Sequence, residues 1–310
     1  MLKKIKILGL YLSLSANGKK LFRRLGRMLK DPQSLPDYRA LLTSINDNLS
    51  ADSQRWFACI QASDAAFKEF IPAWYIAESK IKAEKLYYRF FKNGAILLYE
   101  HTSLFLAFDL LIDAQAQKRC VLLTFLKRVY DDLLDNEHLD KEILFSPQPN
   151  KELLVNAEYR LFLDLRKKIR EAAPIAEFGN YYATLKAVHD AQDAKNSIPY
   201  KIKNGFLLDM YIMMNDLPQK LIQALDTTAD FFACLDNFYD LDEDLTRGKL
   251  TDINQSANPK IALEQKFRKT AAYLRANSPN PEVYLKGLEN LMKIVFFARE
   301  KKLSKLSLFI

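Results

Sequence analysis

Glycine and proline are scarce in this chain, at 8 and 11 of 310 residues, which leaves little material for tight turns, and the alternating apolar and polar runs that mark strands are rare too. The three cysteines, Cys59, Cys120 and Cys234, are odd in number, far apart and set in apolar helical patterns. They exclude a disulfide framework and show no zinc spacing, so they read as reduced core thiols of an intracellular protein. No run of about 18 uncharged apolar residues occurs, which argues against a transmembrane span. There is no glycine-rich phosphate loop, no Ser-His-Asp grouping and no zinc signature, which removes the usual grounds for a kinase, hydrolase or deaminase. Histidine is almost absent. His101 lies in an apolar helical stretch and reads as a core or pocket residue; His138 follows an acidic run and reads as a surface residue or a distal metal neighbour.

What remains is helical. Apolar residues make up 49% and charged residues 27%, the balance of a globular chain with a large core. Apolar side chains recur at helical spacing, as in Trp74, Ile76, Ile81, Leu86, Tyr87 and Phe90. The expected fold class is all-α. Breaks at Pro32 to Pro36, Ser146 to Pro149, Pro174, Pro199, Asn215 to Pro218 and Asn277 to Pro281 divide the chain into roughly eight to eleven helices. None of these breaks is a long Ser/Gly linker and no repeat of 30 to 45 residues recurs, so residues 36–310 read as one helical domain. The stretches Leu104 to Leu134 and Phe206 to Leu235 are apolar on much of their circumference and read as central helices.

Residues 1–35 differ. Lys19, Lys20, Arg23, Arg24, Arg27 and Lys30 continue past a short apolar run, Ile7 to Ala16, and read as a basic amphipathic segment able to touch an anionic membrane; a secretory signal is the competing reading. The net charge of +8 favours an anionic partner: nucleic acid, a membrane surface or a phosphorylated small molecule. Basic residues elsewhere are dispersed among acids with no stripe of stacking aromatics, so nucleic acid is not expected. A non-enzymatic basic helical protein is nevertheless carried as an alternative.

Two acidic clusters carry the chemistry. In Val129-Tyr-Asp-Asp-Leu-Leu-Asp135, helical spacing puts Asp131 and Asp135 on one face with Asp132 about 100° away. Three acids at a helix C-terminus repel one another and oppose the macrodipole. A bound divalent cation relieves both penalties, and Mg²⁺ favours a few carboxylates completed by water and phosphate oxygens. In the second cluster Asp236, Asp240 and Asp244 stand at i, i+4 and i+8 on one stripe, with Glu243 near it and Asp242 turned away. The helix is expected to end at Gly248, flanked by the cations Arg247 and Lys249.

This pair of clusters resembles the metal motifs of class I terpene synthases and of the trans-prenyltransferases. Asp131, Asp132 and Asp135 match the first, DDxxD, motif residue for residue. Asp236, Asp240 and Asp244 stand at the three ligand positions of the second motif, with Arg247-Gly248 as its basic-glycine pair. Here Asp240 replaces a serine and Asp244 a glutamate, and Asn237 occupies the second position, an aspartate-rich pattern similar to prenyltransferases and to divergent bacterial terpene synthases. The cyclases' arginine upstream of the second motif is missing, with Lys201 and Lys203 the nearest cations, and so is their C-terminal Arg-Tyr pair. The Gly-Gly-Lys motif of the prenyltransferases and an Arg-Arg pair after the first cluster are absent too.

The resemblance implies a helical bundle of the class I isoprenoid synthase type with a central active-site cavity. The six aspartates would hold three Mg²⁺ ions, with Mn²⁺ as a substitute, and Arg247, Lys249 and Lys203 would bind diphosphate. The implied activity is conversion of a farnesyl, geranylgeranyl or longer prenyl diphosphate into a terpene hydrocarbon or alcohol. Chain elongation or head-to-head condensation is the runner-up. A homodimer follows by analogy, while the reduced thiols and the basic N-terminus suggest a cytoplasmic location with membrane contact. Phe105, Phe108, Phe125, Phe206 and Tyr211 are candidates for a cation-stabilising pocket wall, although aromatics at helical spacing more often fill a core.

Overall fold

Alanine, leucine and long charged residues at helical spacing give a chain whose described elements are all helices, with no strand among them. The computed structural model describes residues 51–300 apart from 80, 82, 136, 147, 173–197, 215, 247, 249, 250 and 252. The N-terminal basic segment, Pro174, Arg247 and Lys249 therefore lie outside the described residues. The elements are α1 (Ala51–Phe70), α2 (Ala73–Glu78), α3 (Ala83–Ala107), α4 (Ala114–Asp135), α5 (Lys141–Phe145), a 3₁₀ turn (Glu152–Val155), α6 (Ala157–Ala172), α7 (Ile198–Met213), α8 (Gln219–Tyr239), α9 (Leu241–Thr246), α10 (Pro259–Asn277) and α11 (Pro281–Glu300).

Helix α3 packs against α1, α4, α7 and α11, while α4 packs against α1, α3, α6 and α7. Helix α7 joins this group to α8, which in turn packs against α10 and α11. Phe90, Phe105, Phe125, Phe162 and Phe231 are fully buried in the shared core. Edge-to-face contacts link Phe90 to Phe125 across α3 and α4 at 5.3 Å, and Phe206 to Phe232 across α7 and α8 at 5.5 Å. Such pairs contribute about 0.5–1.5 kcal/mol each beyond their burial. Gly94 sits in mid-helix where α1 and α4 close on α3: a Cβ there would stand 2.9 Å from Val121 Cγ1 and collide with Ser63 Oγ.

The apolar stretch Leu104 to Leu134 is two helices and not one. The first ends in a Schellman motif: Leu110 N–H donates to Phe105 O at 3.0 Å and Asp109 N–H to Leu106 O at 3.1 Å. Asp109 takes the left-handed position, φ +58°, that glycine usually fills, and its carboxylate accepts from Asn280. The next helix starts when Asp113 caps Ala116 N–H at 2.7 Å. All three cysteines are free and buried, with burial pushing the Cys59 thiol up to about 12. Among the described residues no helix is long and apolar enough to cross a membrane.

Candidate active site

Register decides where the two acidic clusters meet the rest of the bundle. Arg119, early in α4, donates Nε to Ile212 O at 2.8 Å at the end of α7, while Lys127 reaches Asp209 at 2.7 Å and Gly205 O at 3.4 Å. As α4 numbers rise those of α7 fall, so the two helices run antiparallel. One to two further turns of α4 bring Asp131 and Asp135 level with the first turns of α7. Helix α8 also runs back along α7, since it packs against α7 and only residues 214–218 join the end of one to the start of the other. Its C-terminal Asp236 therefore returns to the same end, at the N-terminus of α7.

Asp131 is exposed on the last full turn of α4, and Asp135 is the final residue of that helix. Asp132 is 6% exposed and stands between two guanidinium groups: Arg89 of α3 pairs with it through Nη2, and Arg128 donates Nη2 to Oδ1 at 3.1 Å. The Arg89 side chain is 13% exposed and lies over the Phe90 ring at 5.5 Å. Burial and then the repulsion of Arg128 lower the Arg89 pKa from its ordinary value, while Tyr75, Glu158 and Asp131 act the other way. Tyr75 donates to Glu158, and burial followed by that carboxylate raises its phenol.

The second cluster crosses a helix junction without losing its spacing. Helix α8 ends at Tyr239 with Asp240 as its C-cap at φ −87° and ψ 8°, yet Asp240 N–H still donates to Asp236 O at 2.9 Å and Asp244 N–H to Asp240 O at 2.8 Å. The three residues thus keep four-residue spacing along α8 and α9. Asp236 and Asp240 are half-buried, Asp244 is 4% exposed and Asp242 is exposed. Gly248 adopts φ +67° just past α9, the left-handed stop expected of it.

Other expectations sort differently. Lys203 is tied to Asp226, which lies ten positions before Asp236, or about 15 Å along the helix. Tyr211 is 41% exposed on α7, whereas Phe105 and Phe125 are fully buried and Phe108 and Phe206 half-buried. His138 is exposed at φ +52°, and His101 is buried with Nε2 2.9 Å from Asp209 Oδ2. Arg89 escaped sequence reasoning altogether, because it belongs to the preceding helix and no local spacing links it to Asp132.

Among the described residues no group of three or more His, Cys, Asp or Glu side chains gathers into one metal shell. The acids instead offer separate hard oxygen donors on two helix ends, an arrangement that leaves most of a Mg²⁺ shell to water or phosphate. A cavity of about 320 Å³ opens elsewhere, between the end of α1, the start of α4 and the end of α6, lined by Phe70, Lys118, Arg119 and Lys168 among others. From Arg119 to Asp131 is twelve positions, about 18 Å along α4, so this cavity belongs to the opposite end of the bundle. No protein-family model matches this chain, and no curated protein matches it in sequence.

Proposed function

We propose that this chain is a Mg²⁺-dependent class I terpene synthase acting on a linear prenyl diphosphate. The observation that carries the reading is the helix order: the DDxxD-bearing end of α4 and the aspartate stripe of α8 and α9 both return to the N-terminal end of α7. Asp131 with Asp135 on one side, and Asp236 with Asp240 on the other, would hold the metal. When bound, Mg²⁺ supplies neutralisation of the diphosphate charge and so assists its departure.

The chain's own residues do the rest. The N-terminal end of α7 turns the positive end of its dipole toward the incoming anion. Phe125 on α4, and Phe206 packed on Phe232 across α7 and α8, would supply apolar surface against which the prenyl chain lies away from water. Their π faces suit an allylic cation. Arg247 and Lys249, which follow the stripe in sequence, are assigned to the diphosphate. Chain elongation is the second reading, favoured by the aspartate at position 240 where cyclases carry serine.

Incubating the protein with Mg²⁺ and geranyl, farnesyl, geranylgeranyl or longer prenyl diphosphates, followed by gas chromatography–mass spectrometry, tests the proposal. A cyclic or rearranged product absent from the Asp131→Ala/Asp236→Ala variant is expected. A longer prenyl diphosphate formed only with isopentenyl diphosphate would replace cyclisation by elongation. Unchanged substrate, together with no Mg²⁺-dependent diphosphate binding by calorimetry, would overturn both.

A further inference from the structure

Asp132 belongs to a motif whose acids are all assigned to metal, yet it is committed to protein partners. It is buried, and two guanidinium groups from different helices close on it. Those guanidiniums have donors left over. The Nε–H groups of Arg89 and of Arg128 are both buried and meet no acceptor among the described residues. A buried donor without an acceptor costs stability, and two of them side by side, on cations, call for an explanation by an anion. Around Arg89 stand Arg128, Asp131, Asp132, Glu158 and Tyr75, and Glu158 is already occupied as the acceptor of the Tyr75 hydroxyl. Arg89 therefore stands near enough to the exposed Asp131 to feel its charge, and the arginine fork matches phosphate oxygens.

We infer that Arg89 and Arg128 are the cations that bind the substrate's diphosphate at the first acidic cluster, and that Asp132 positions them and is not itself a metal ligand. This rests on the proposed isoprenoid-diphosphate reading and adds to it two cations that no local spacing in the sequence shows. Metal held at Asp131 would bring the diphosphate beside the two guanidiniums, where Nε and the outer Nη atoms donate to its oxygens while Asp132 keeps both arginines in place.

Isothermal titration of the full chain with inorganic pyrophosphate, in MgCl₂ and in EDTA, tests this. Wild type should bind only with Mg²⁺. Arg89→Gln and Arg128→Gln should each weaken binding by about tenfold or more, the size expected for a lost charge-assisted hydrogen bond. Arg89→Lys, which keeps the charge and loses the fork, should fall between. The Mg²⁺ concentration for half-maximal binding should rise in Asp131→Asn but stay at the wild-type value in Arg128→Gln, a split that a merely structural role would not produce. Lys168→Gln, which loses an ion pair with Asp164 at the other end of the bundle, is the control and should bind as wild type. Should Arg89→Gln fail to fold, Arg128→Gln, whose side chain is 39% exposed, and Arg89→Lys decide the matter. Wild-type affinity in both arginine variants overturns the inference and leaves the isoprenoid reading standing; no binding by wild type overturns both.

Discussion

Asp132 and Asp209 are both buried carboxylates bracketed by two basic side chains, yet they differ in what surrounds those bases. Asp209, fully buried on α7, accepts from Lys127 at 2.7 Å on each oxygen and lies 2.9 Å from His101 Nε2. The ammonium has a further acceptor in Gly205 O at 3.4 Å. Burial raises the Asp209 pKa, but the Lys127 charge and the His101 bond outweigh it and hold the carboxyl below its ordinary range. At Asp132 the bases instead keep buried Nε donors that meet no acceptor among the described residues. The first network closes on itself and serves to lock α3, α4 and α7 together. The second stays open toward an anion.

Breaking the closed network should cost most. Lys127→Met leaves a buried carboxylate without its ammonium, a loss of about 3–5 kcal/mol in urea unfolding at neutral pH. The joint change Lys127→Met/Asp209→Leu should recover much of that, because it removes the charge along with its partner. A loss below about 1 kcal/mol for the single variant, the range of an exposed pair, would erase the contrast between the two sites. The pH dependence carries a definite sign. The Asp209 pKa is depressed in the folded state, so the unfolded chain binds more protons as pH drops. Its contribution is whole above the unfolded value of about 4 and fades as pH falls below that, through the lower folded value. Asp209→Asn should lack this portion of the acid destabilisation, which denaturant titrations across that range would measure.

The open network should respond to ligand where the closed one does not. At a concentration a hundredfold above its Kd, Mg²⁺-pyrophosphate should stabilise wild type by about 2.7 kcal/mol. Lys127→Met, once folded, should gain the same increment, whereas Arg128→Gln at that concentration should gain much less. Equal gains in all three proteins would place the anion elsewhere.

Local patterns were legible in the sequence and long-range ones were not. The four-residue spacing of Asp236, Asp240 and Asp244 is a property of one stretch of helical backbone, and it survives the junction at Asp240 because the i to i−4 bonds continue. The left-handed stop at Gly248 was readable for the same reason. The break after Ala107 was hidden, since Asp109 rather than glycine or proline occupies the left-handed position. Lys127 with Asp209, 82 residues apart, and His101 with Asp209, 108 apart, come together only through packing. So does Arg89 with Asp132. The sequence therefore showed the spacing within each acidic cluster but not the long-range partners, such as Asp226 beside Lys203.

The smallest predicted effect bears most directly on that division. Asp131 is exposed at the C-terminal turn of α4, where a negative charge opposes the helix dipole. Replacing it by asparagine removes that penalty but also the attraction to Arg89. The two changes oppose each other, so thermal unfolding of Asp131→Asn should stay within about 0.5 kcal/mol of wild type, as for surface substitutions in general. Asp132→Asn should cost more, because it leaves two partly buried guanidiniums without their carboxylate. If instead the Asp131 variant loses as much as the Asp132 variant, both acids belong to one structural ion network, and the first cluster would then hold α3 to α4 without presenting a carboxylate to metal. If only the Asp132 variant is destabilised, the two adjacent acids divide the work: one anchors arginines, and the other remains available to a divalent cation.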